Sequence, residues 1–180
     1  QTLTAANTLA DADGLGAISY QWQANGTNIS GATGSSYLLT EAEVGKTITA
    51  IASYTDGHGT AESKTSAATL AVANLNDAPT GSVTITGTAT QGQTLTVANT
   101  LADADGLGTI SYQWQANGTA ISGATGSSYF LTEAEVGKVI SVIASYTDGH
   151  GTLETVASTQ TAAVANLNDA PTGSVTITGT

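Results

Sequence analysis

The sequence predicts an all-β fold, built from antiparallel β-sandwiches in tandem, and three observations indicate it. Residues 1–88 recur as residues 93–180, an offset of 92 residues, with 14 differences in 88 positions. Polar and apolar residues alternate with a period of two along most of each copy, as they do in half-buried strands. Turn residues separate these runs at intervals of roughly 8–12 residues. A repeat of this length can form its own core, which favours successive domains over a solenoid.

The strands are assigned on the second copy. Trp114 alternates with polar neighbours and is expected to point inward, and Asn117-Gly118 predicts a type I′ hairpin turn, which needs positive φ at both positions. Residues 132–137 are expected to form one helical turn closed by Gly137. Strands A, B, C, C′, E, F and G are predicted at 81–90, 93–101, 109–116, 119–122, 127–132, 138–147 and 151–166. Seven strands in this order, with an inward Trp on strand C, predict immunoglobulin-like sandwiches of about seven strands each.

The domain boundaries follow from the only proline of each copy, in Asn-Asp-Ala-Pro. Proline between two strand-like runs is typical of a linker. We therefore predict an immunoglobulin-like repeat without its first strand at 1–77, a complete repeat at 78–169, and the first strand of a further repeat at 170–180. A piece of a longer array has this organisation. So does a homopolymer in which the last strand completes a domain of the neighbouring molecule by strand exchange.

Composition excludes several classes of function. The net charge of −11, from 14 acidic and 3 basic residues, disfavours nucleic acid as a partner. No apolar run is long enough for membrane insertion. The absence of cysteine suits an extracellular protein that does not depend on disulfides. His58 and His150 lie in predicted loops and no serine is marked as a nucleophile, so we do not expect an enzyme.

The carboxylates are concentrated in the predicted loops. In a sandwich of this topology the B–C and F–G loops lie at the end where strand A starts, and the E–F turn lies at the opposite end. Two domains in series therefore bring one group of candidate metal ligands to their junction: Glu41, Glu43, Asn76, Asp77, Asp103, Asp105 and Asp148. The equivalent residues at the other ends of the two copies are candidates for the same reason: Asp11, Asp13, Asp56, Glu133, Glu135, Asn168 and Asp169.

Such a group of carboxylates requires a counter-charge. Two carboxylates about 5 Å apart repel by roughly 3 kcal/mol at an effective dielectric constant near 20. Lys46 is the only nearby cation, and it cannot balance six anions. Oxygen ligands on irregular loops suit Ca²⁺, which accepts about 6–8 oxygens, better than Mg²⁺ with its strict octahedral geometry. Zinc is disfavoured because each copy has one His and no Cys. The sequence therefore predicts calcium between the domains.

Residues 74–79, Asn-Leu-Asn-Asp-Ala-Pro, are followed by a Thr-rich strand and by Asp-Ala-Asp-Gly. This pattern, in near-identical tandem copies, resembles the bacterial Ig-like (cadherin-like) repeats of giant RTX-type surface adhesins that leave the cell by type I secretion. The resemblance covers the whole chain. It implies an extender region at the bacterial cell surface, with calcium between domains stiffening a rod that serves adhesion and biofilm formation. The ligands that it implies are Asn76, Asp77, Asp103, Asp105, Asp148 and either Glu41 or Glu43. The sequence has Asp-Ala-Pro where cadherins have Asp-Asn-Ala-Pro, and it lacks their Asp-Arg-Glu.

Three functions follow as hypotheses. The first is a structural extender module whose partners are neighbouring identical repeats. The second is a self-assembling extracellular fibre subunit, joined by strand complementation through the segment at 170–180. The third is an adhesive domain that binds a glycan or another ligand. Tyr20, Tyr37 and Tyr54 are candidates for its binding face, but Tyr20 and Tyr54 alternate with core residues and are expected to be buried.

Overall fold

The computed structural model describes residues 1–179, and strands account for nearly all of its regular structure. The all-β prediction is confirmed. The chain forms two compact units, Gln1–Leu75 and Asn76–Thr180. Among the described residues there is no helix with the length and hydrophobicity that a membrane crossing needs.

The first unit contains six strands in two antiparallel sheets. They are β1 (Thr2–Thr4), β2 (Ser19–Ala24), β3 (Thr27–Asn28), β4 (Ser36–Leu38), β5 (Ile48–Thr55) and β6 (Ala61–Thr65). One sheet pairs β1 with β4, and the other has the order β3-β2-β5-β6. The core of the unit is formed by Trp22, Ala32, Ile48 and Ala50, with residues such as Leu3 and Ala5 half-buried against it.

The described residues of the second unit form a seven-strand sandwich. Its strands are β7 (Val83–Thr86), β8 (Thr94–Asn99), β9 (Ser111–Ala116), β10 (Thr119–Ala120), β11 (Ser128–Phe130), β12 (Ile140–Thr147) and β13 (Leu153–Ala157). The two sheets have the orders β11-β8-β7 and β10-β9-β12-β13, and every strand pair is antiparallel. This is the strand order predicted for an immunoglobulin-like sandwich.

The core of the second unit follows from the predicted alternation. Ile140, Val142 and Ala144 of β12 are fully buried, and Trp114 lies opposite Val142 in the paired strand with no exposed surface. The indole N–H of Trp114 donates to the carbonyl oxygen of Gly126 at 2.9 Å, so the large side chain is buried without an unpaired donor.

The turns also form as the sequence predicts. Asn117 and Gly118 have φ values of 49° and 77°, as a type I′ turn requires. The predicted helical turn is a 3₁₀ turn at Glu133–Glu135, and Gly137 after it has a φ of 78°. A 3₁₀ turn of the same kind is found at Glu41–Glu43 of the first unit.

Strand G was predicted to run from 151 to 166, and this prediction is wrong in its second half, because β13 ends at Ala157. The backbone N–H groups of Ser158 and Thr161 donate to the carbonyls of Val142 and Ile140. The two donors are three residues apart, whereas their acceptors on β12 are two residues apart. The segment after β13 therefore contains one extra residue, which breaks its pairing register with β12. The chain then continues beside the segment before β12, where Val164 forms an isolated parallel bridge with Val136, and Ala165 forms another with Thr90.

Candidate functional site

Two loops of the second unit are joined at the end where β7 begins. The backbone N–H of Gly149, in the β12–β13 loop, donates to the carbonyl oxygens of Asp105 and Gly106, in the β8–β9 loop, at 3.0 and 3.2 Å. A Cβ atom at Gly149 would lie 2.6 Å from the Asp105 carbonyl oxygen. Glycine is therefore required for the two loops to approach this closely.

The carboxylate of Asp148 organises the β12–β13 loop. Its Oδ1 accepts hydrogen bonds from the backbone N–H groups of His150 and Thr152, both at 2.8 Å. Burial alone would raise the pKa of Asp148, but these hydrogen bonds hold the pKa below its usual range. Asp148 is therefore negatively charged at neutral pH.

The carboxylate of Asp103 organises the β8–β9 loop in the same way. Its Oδ1 accepts from the backbone N–H of Asp105 at 2.9 Å, and its Oδ2 accepts from the hydroxyl of Tyr146 at 2.6 Å. Burial and the hydrogen bond to Asp103 raise the pKa of Tyr146. The tyrosine therefore stays a hydrogen-bond donor over a wide pH range and ties the loop to β12.

The first residues of the unit are bound to these loops. The backbone N–H of Asp77 donates to Oδ2 of Asp105 at 2.6 Å. The side-chain amide of Asn76 donates to Oε1 of Glu154, on β13, at 2.7 Å. The predicted linker residues thus lie at the end of the second unit that carries Asp105 and Asp148, which we call the acidic end. The carboxylates of Asp105 and Glu154 bind them there.

Two carboxylate oxygens at this end have no hydrogen-bond partner. Asp105 is 4% exposed and Asp148 is 6% exposed. Oδ1 of Asp105 and Oδ2 of Asp148 are buried and accept no hydrogen bond from any described residue. A buried, unpaired polar group costs about 1–3 kcal/mol, and more when it is charged. A cation beside these two oxygens would therefore stabilise the unit.

The second unit has no lysine or arginine near the two loops that could balance the charge of Asp105 and Asp148. Its one basic residue, Lys138, lies before β12 and lowers the pKa of Glu135, whereas Asp148 follows β12. Each residue of a strand rises about 3.3 Å, so the eight residues of β12 separate the two by roughly 25 Å. A ring nitrogen of His150 lies within 4.8 Å of a carboxylate oxygen of Asp105.

The equivalent loops of the first unit have the same internal hydrogen bonds but a more open surface. Asp11 accepts from the backbone N–H of Asp13 at 2.9 Å and from the hydroxyl of Tyr54 at 2.8 Å, and Asp56 accepts from the backbone N–H of Thr60 at 2.7 Å. The Asp13 side chain is 65% exposed and lies 3.7 Å from the ring of His58. The loops are therefore preformed by their own sequence, and burial of the carboxylates is particular to the second unit.

Glu43 and Glu135 have a structural role that the sequence analysis missed. In the second unit, Oε2 of Glu135 accepts from the backbone N–H and the hydroxyl of Thr132, at 2.9 and 2.7 Å. Burial would raise the pKa of Glu135, but these bonds, together with Tyr129 and Lys138, lower it. The matching bonds from Thr40 to Glu43 form the same capping box in the first unit. The burial of both glutamates is explained without a metal.

Removing this carboxylate gives a testable prediction. Glu135→Ala leaves the Thr132 N–H and the Tyr129 hydroxyl without their acceptor, so we expect the free energy of unfolding of the second unit to fall by about 2–3 kcal/mol. Urea denaturation followed by Trp fluorescence measures it. Glu133→Ala is the matched control, because Glu133 has the same charge on the same turn but is exposed, and it should change stability by less than about 0.5 kcal/mol. Equal losses in the two variants would contradict the capping role.

The remaining candidates are placed as follows. Asn168 and Asp169 are exposed, and Oδ2 of Asp169 accepts from the side-chain amide of Gln91 at 3.1 Å. Glu41 is half-buried. The structure thus brings together Asn76, Asp77, Asp103, Asp105 and Asp148 within the second unit through the hydrogen bonds above. That Glu41 and Glu43 of the preceding unit join them stays a prediction.

Glu154, which binds Asn76, was not among the predicted site residues. A signal was present in the comparison of the two copies. Between positions 61 and 70 and their counterparts at 153–162, seven of ten residues differ, yet Glu62 and Glu154 are the same.

Comparison of the chain with known proteins adds no relative: no family model matches it, and no curated protein matches it significantly. The likeness to adhesin repeats therefore stays a prediction from the sequence.

Proposed function

We propose that the chain is a structural extender segment of a long extracellular repeat protein of the bacterial cell surface, and that calcium at the acidic end of a unit stiffens its connection to the preceding unit. The observation that carries this proposal is the pair of buried carboxylates, Asp105 and Asp148, each with one oxygen that has no donor. The proposal assigns these carboxylates a role as metal ligands and requires no catalytic residue.

The donors at this end fit calcium in kind. Asp103, Asp105 and Asp148 offer carboxylate oxygens on loops that are already fixed by hydrogen bonds to Tyr146, Thr152 and Gly149. Calcium accepts about 6–8 oxygens in variable geometry, and waters can supply those that the protein does not. When bound, the ion supplies the positive charge that the unit's own basic residue is too far away to supply.

The link to stiffness is the position of Asp77. Its backbone N–H is bound to Asp105, and the first unit ends only two residues earlier, at Leu75. A cation on Asp105 fixes the carboxylate that holds the linker, so it restricts the backbone torsions through which one unit can swing relative to the next. Two copies of the repeat, 1–88 and 93–180, that are identical at 74 of 88 positions suit this role, because a spacer needs the same module many times.

Small-angle X-ray scattering of the full chain, in calcium and in excess chelator, tests the proposal. We expect a larger maximum dimension and a narrower distribution of shapes in calcium. Magnesium at the same concentration is the control for ionic strength and should not reproduce the change. Scattering curves that are identical in calcium and in chelator would overturn the proposal.

A further inference from the structure

Strand β13 lies at one edge of the larger sheet of the second unit. It pairs with β12 on one side, and no strand among the described residues pairs with its other side. The N–H and C=O groups of successive residues in a strand point alternately to the two sides. The carbonyl oxygen of Thr152, just before β13, accepts from the N–H of Asp148. The N–H of Ser158, just after β13, donates to the carbonyl oxygen of Val142. The alternation therefore directs the backbone groups of three residues away from β12, to the free side: Leu153, Thr155 and Ala157.

The free side of β13 presents unpaired backbone groups. Each of its three outward-pointing residues leaves one N–H and one C=O group without a strand partner. Their side chains are exposed, and that of Leu153 is 68% exposed. The side chains between them, Glu154 and Val156, point to the other face of the sheet and are half-buried, and Val156 packs against the core. The free side of β13 is therefore an accessible edge, and such edges are sites of strand addition.

The two copies of the repeat differ most at this edge. Seven of their 14 differences fall at positions 61–70 and 153–162, which contain β6 and β13. β6 reads Ala-Glu-Ser-Lys-Thr, and β13 reads Leu-Glu-Thr-Val-Ala. Lysine on an edge strand is one of the means by which proteins prevent edge-to-edge pairing, and Lys64 of β6 is replaced by Val156 in β13. Thr and Val also favour strands more than Ser and Lys do. The edge of the second unit is therefore the better suited of the two to pairing.

We propose that β13 pairs with β13 of a second copy of the chain, in an antiparallel arrangement around a two-fold axis. Thr155 of each molecule lies opposite Thr155 of the other, and Leu153 lies opposite Ala157. The outward-pointing residues of the two strands then face each other, so every N–H and C=O group on the two free sides is bonded. The two sheets of four strands join into one continuous sheet. Such an interface uses the same surface on both molecules and closes at the dimer.

The side chains of β13 indicate why the partner is a second copy. Leu153 covers Ala157 of the other molecule at both ends of the pairing, so an exposed apolar side chain is covered in each molecule. The only charged residue of the strand, Glu154, lies opposite Val156, so like charges do not face each other directly although the chain carries a net charge of −11. A single pair of strands forms a small interface, so we expect a weak dimer that forms at high concentration. The inference goes beyond the extender role and needs no metal ion.

Sedimentation velocity of the full chain in excess chelator, at concentrations up to about 1 mM, tests the inference. The chelator excludes association through a metal ion. We expect the wild type to shift from monomer to dimer as the concentration rises. Thr155→Lys and Thr155→Glu each place two like charges beside the two-fold axis, so each variant alone should remain monomeric. An equimolar mixture of the two variants should dimerise, because Lys then faces Glu across the axis.

Ser63→Lys is the matched control, because Ser63 is the equivalent exposed residue of β6, and this variant should dimerise as the wild type does. All three substitutions change exposed side chains, so all three variants should fold, and circular dichroism checks this. A wild type that stays monomeric at every concentration would overturn the inference. Dimerisation of Thr155→Lys alone, loss of dimerisation in Ser63→Lys, or a mixture of the Thr155 variants that stays monomeric would overturn it as well.

Discussion

The two units are expected to unfold in separate steps, with the first unit melting at least about 10 °C below the second. Where the two units align, residues 1–75 and 93–167, they are identical at 61 of 75 positions, and only the second unit has the strand β7. Burying a Val or Ile side chain contributes about 1.5–3 kcal/mol, and β7 places both Val83 and Ile85 against the core. In a domain of this size about 1 kcal/mol corresponds to roughly 4–8 °C in melting temperature.

Calorimetry of the dilute chain measures the two steps, and the tryptophans assign them. Each unit contains one, Trp22 in the first and Trp114 in the second. In Trp22→Phe the fluorescence change should follow only the upper transition, and in Trp114→Phe only the lower one. A single transition in which both tryptophans change together would contradict the prediction.

Calcium is expected to raise the melting temperature of the second unit, and Asp105→Asn should remove that effect. A ligand at about 100 times its dissociation constant stabilises the folded state by about 2.7 kcal/mol, which corresponds to a shift of about 10 °C or more. The effect of Asp105→Asn on the melting temperature in the absence of calcium is a second test. In chelator, Asp105→Asn should not lower the melting temperature, because it removes a buried charge that has an unpaired oxygen.

The control for this variant is Asp13→Asn, the same substitution at the equivalent position of the first unit. Asp13 is largely exposed, and no linker residue is bound to it among the described hydrogen bonds. Its calcium-dependent shift should therefore match that of the wild type. A loss of the shift in Asp13→Asn as large as in Asp105→Asn would place the ion elsewhere.

Much of the fold could be predicted because its causes are local. Alternation with a period of two places Trp114, Ile140 and Val142 in the core, and Asn117-Gly118 determines its own turn through positive φ. The end of strand G could not be predicted, because it depends on an extra residue between the partners of Val142 and Ile140. A register shift of this kind leaves no mark in the polarity pattern.

The sequence predicted which residues lie near the candidate site, but it did not predict the role of each residue. Counting loop acids placed Glu43 and Glu135 with the metal ligands, although Thr132-Glu-Ala-Glu135 has the Thr-x-x-Glu spacing of a capping box. The positions of Asp103, Asp105 and Asp148 in adjoining loops followed from topology. Which of their oxygens have no partner depends on the hydrogen bonds of Asp77 and Thr152, which only the folded chain reveals.

Isothermal titration of the full chain with calcium tests the central claim most directly. The claim is that buried carboxylates beside the linker hold a divalent cation. We predict saturable binding in the wild type and in Asp13→Asn, and at least one equivalent fewer in Asp105→Asn. No saturable heat in the wild type, or the same stoichiometry in Asp105→Asn, would contradict it.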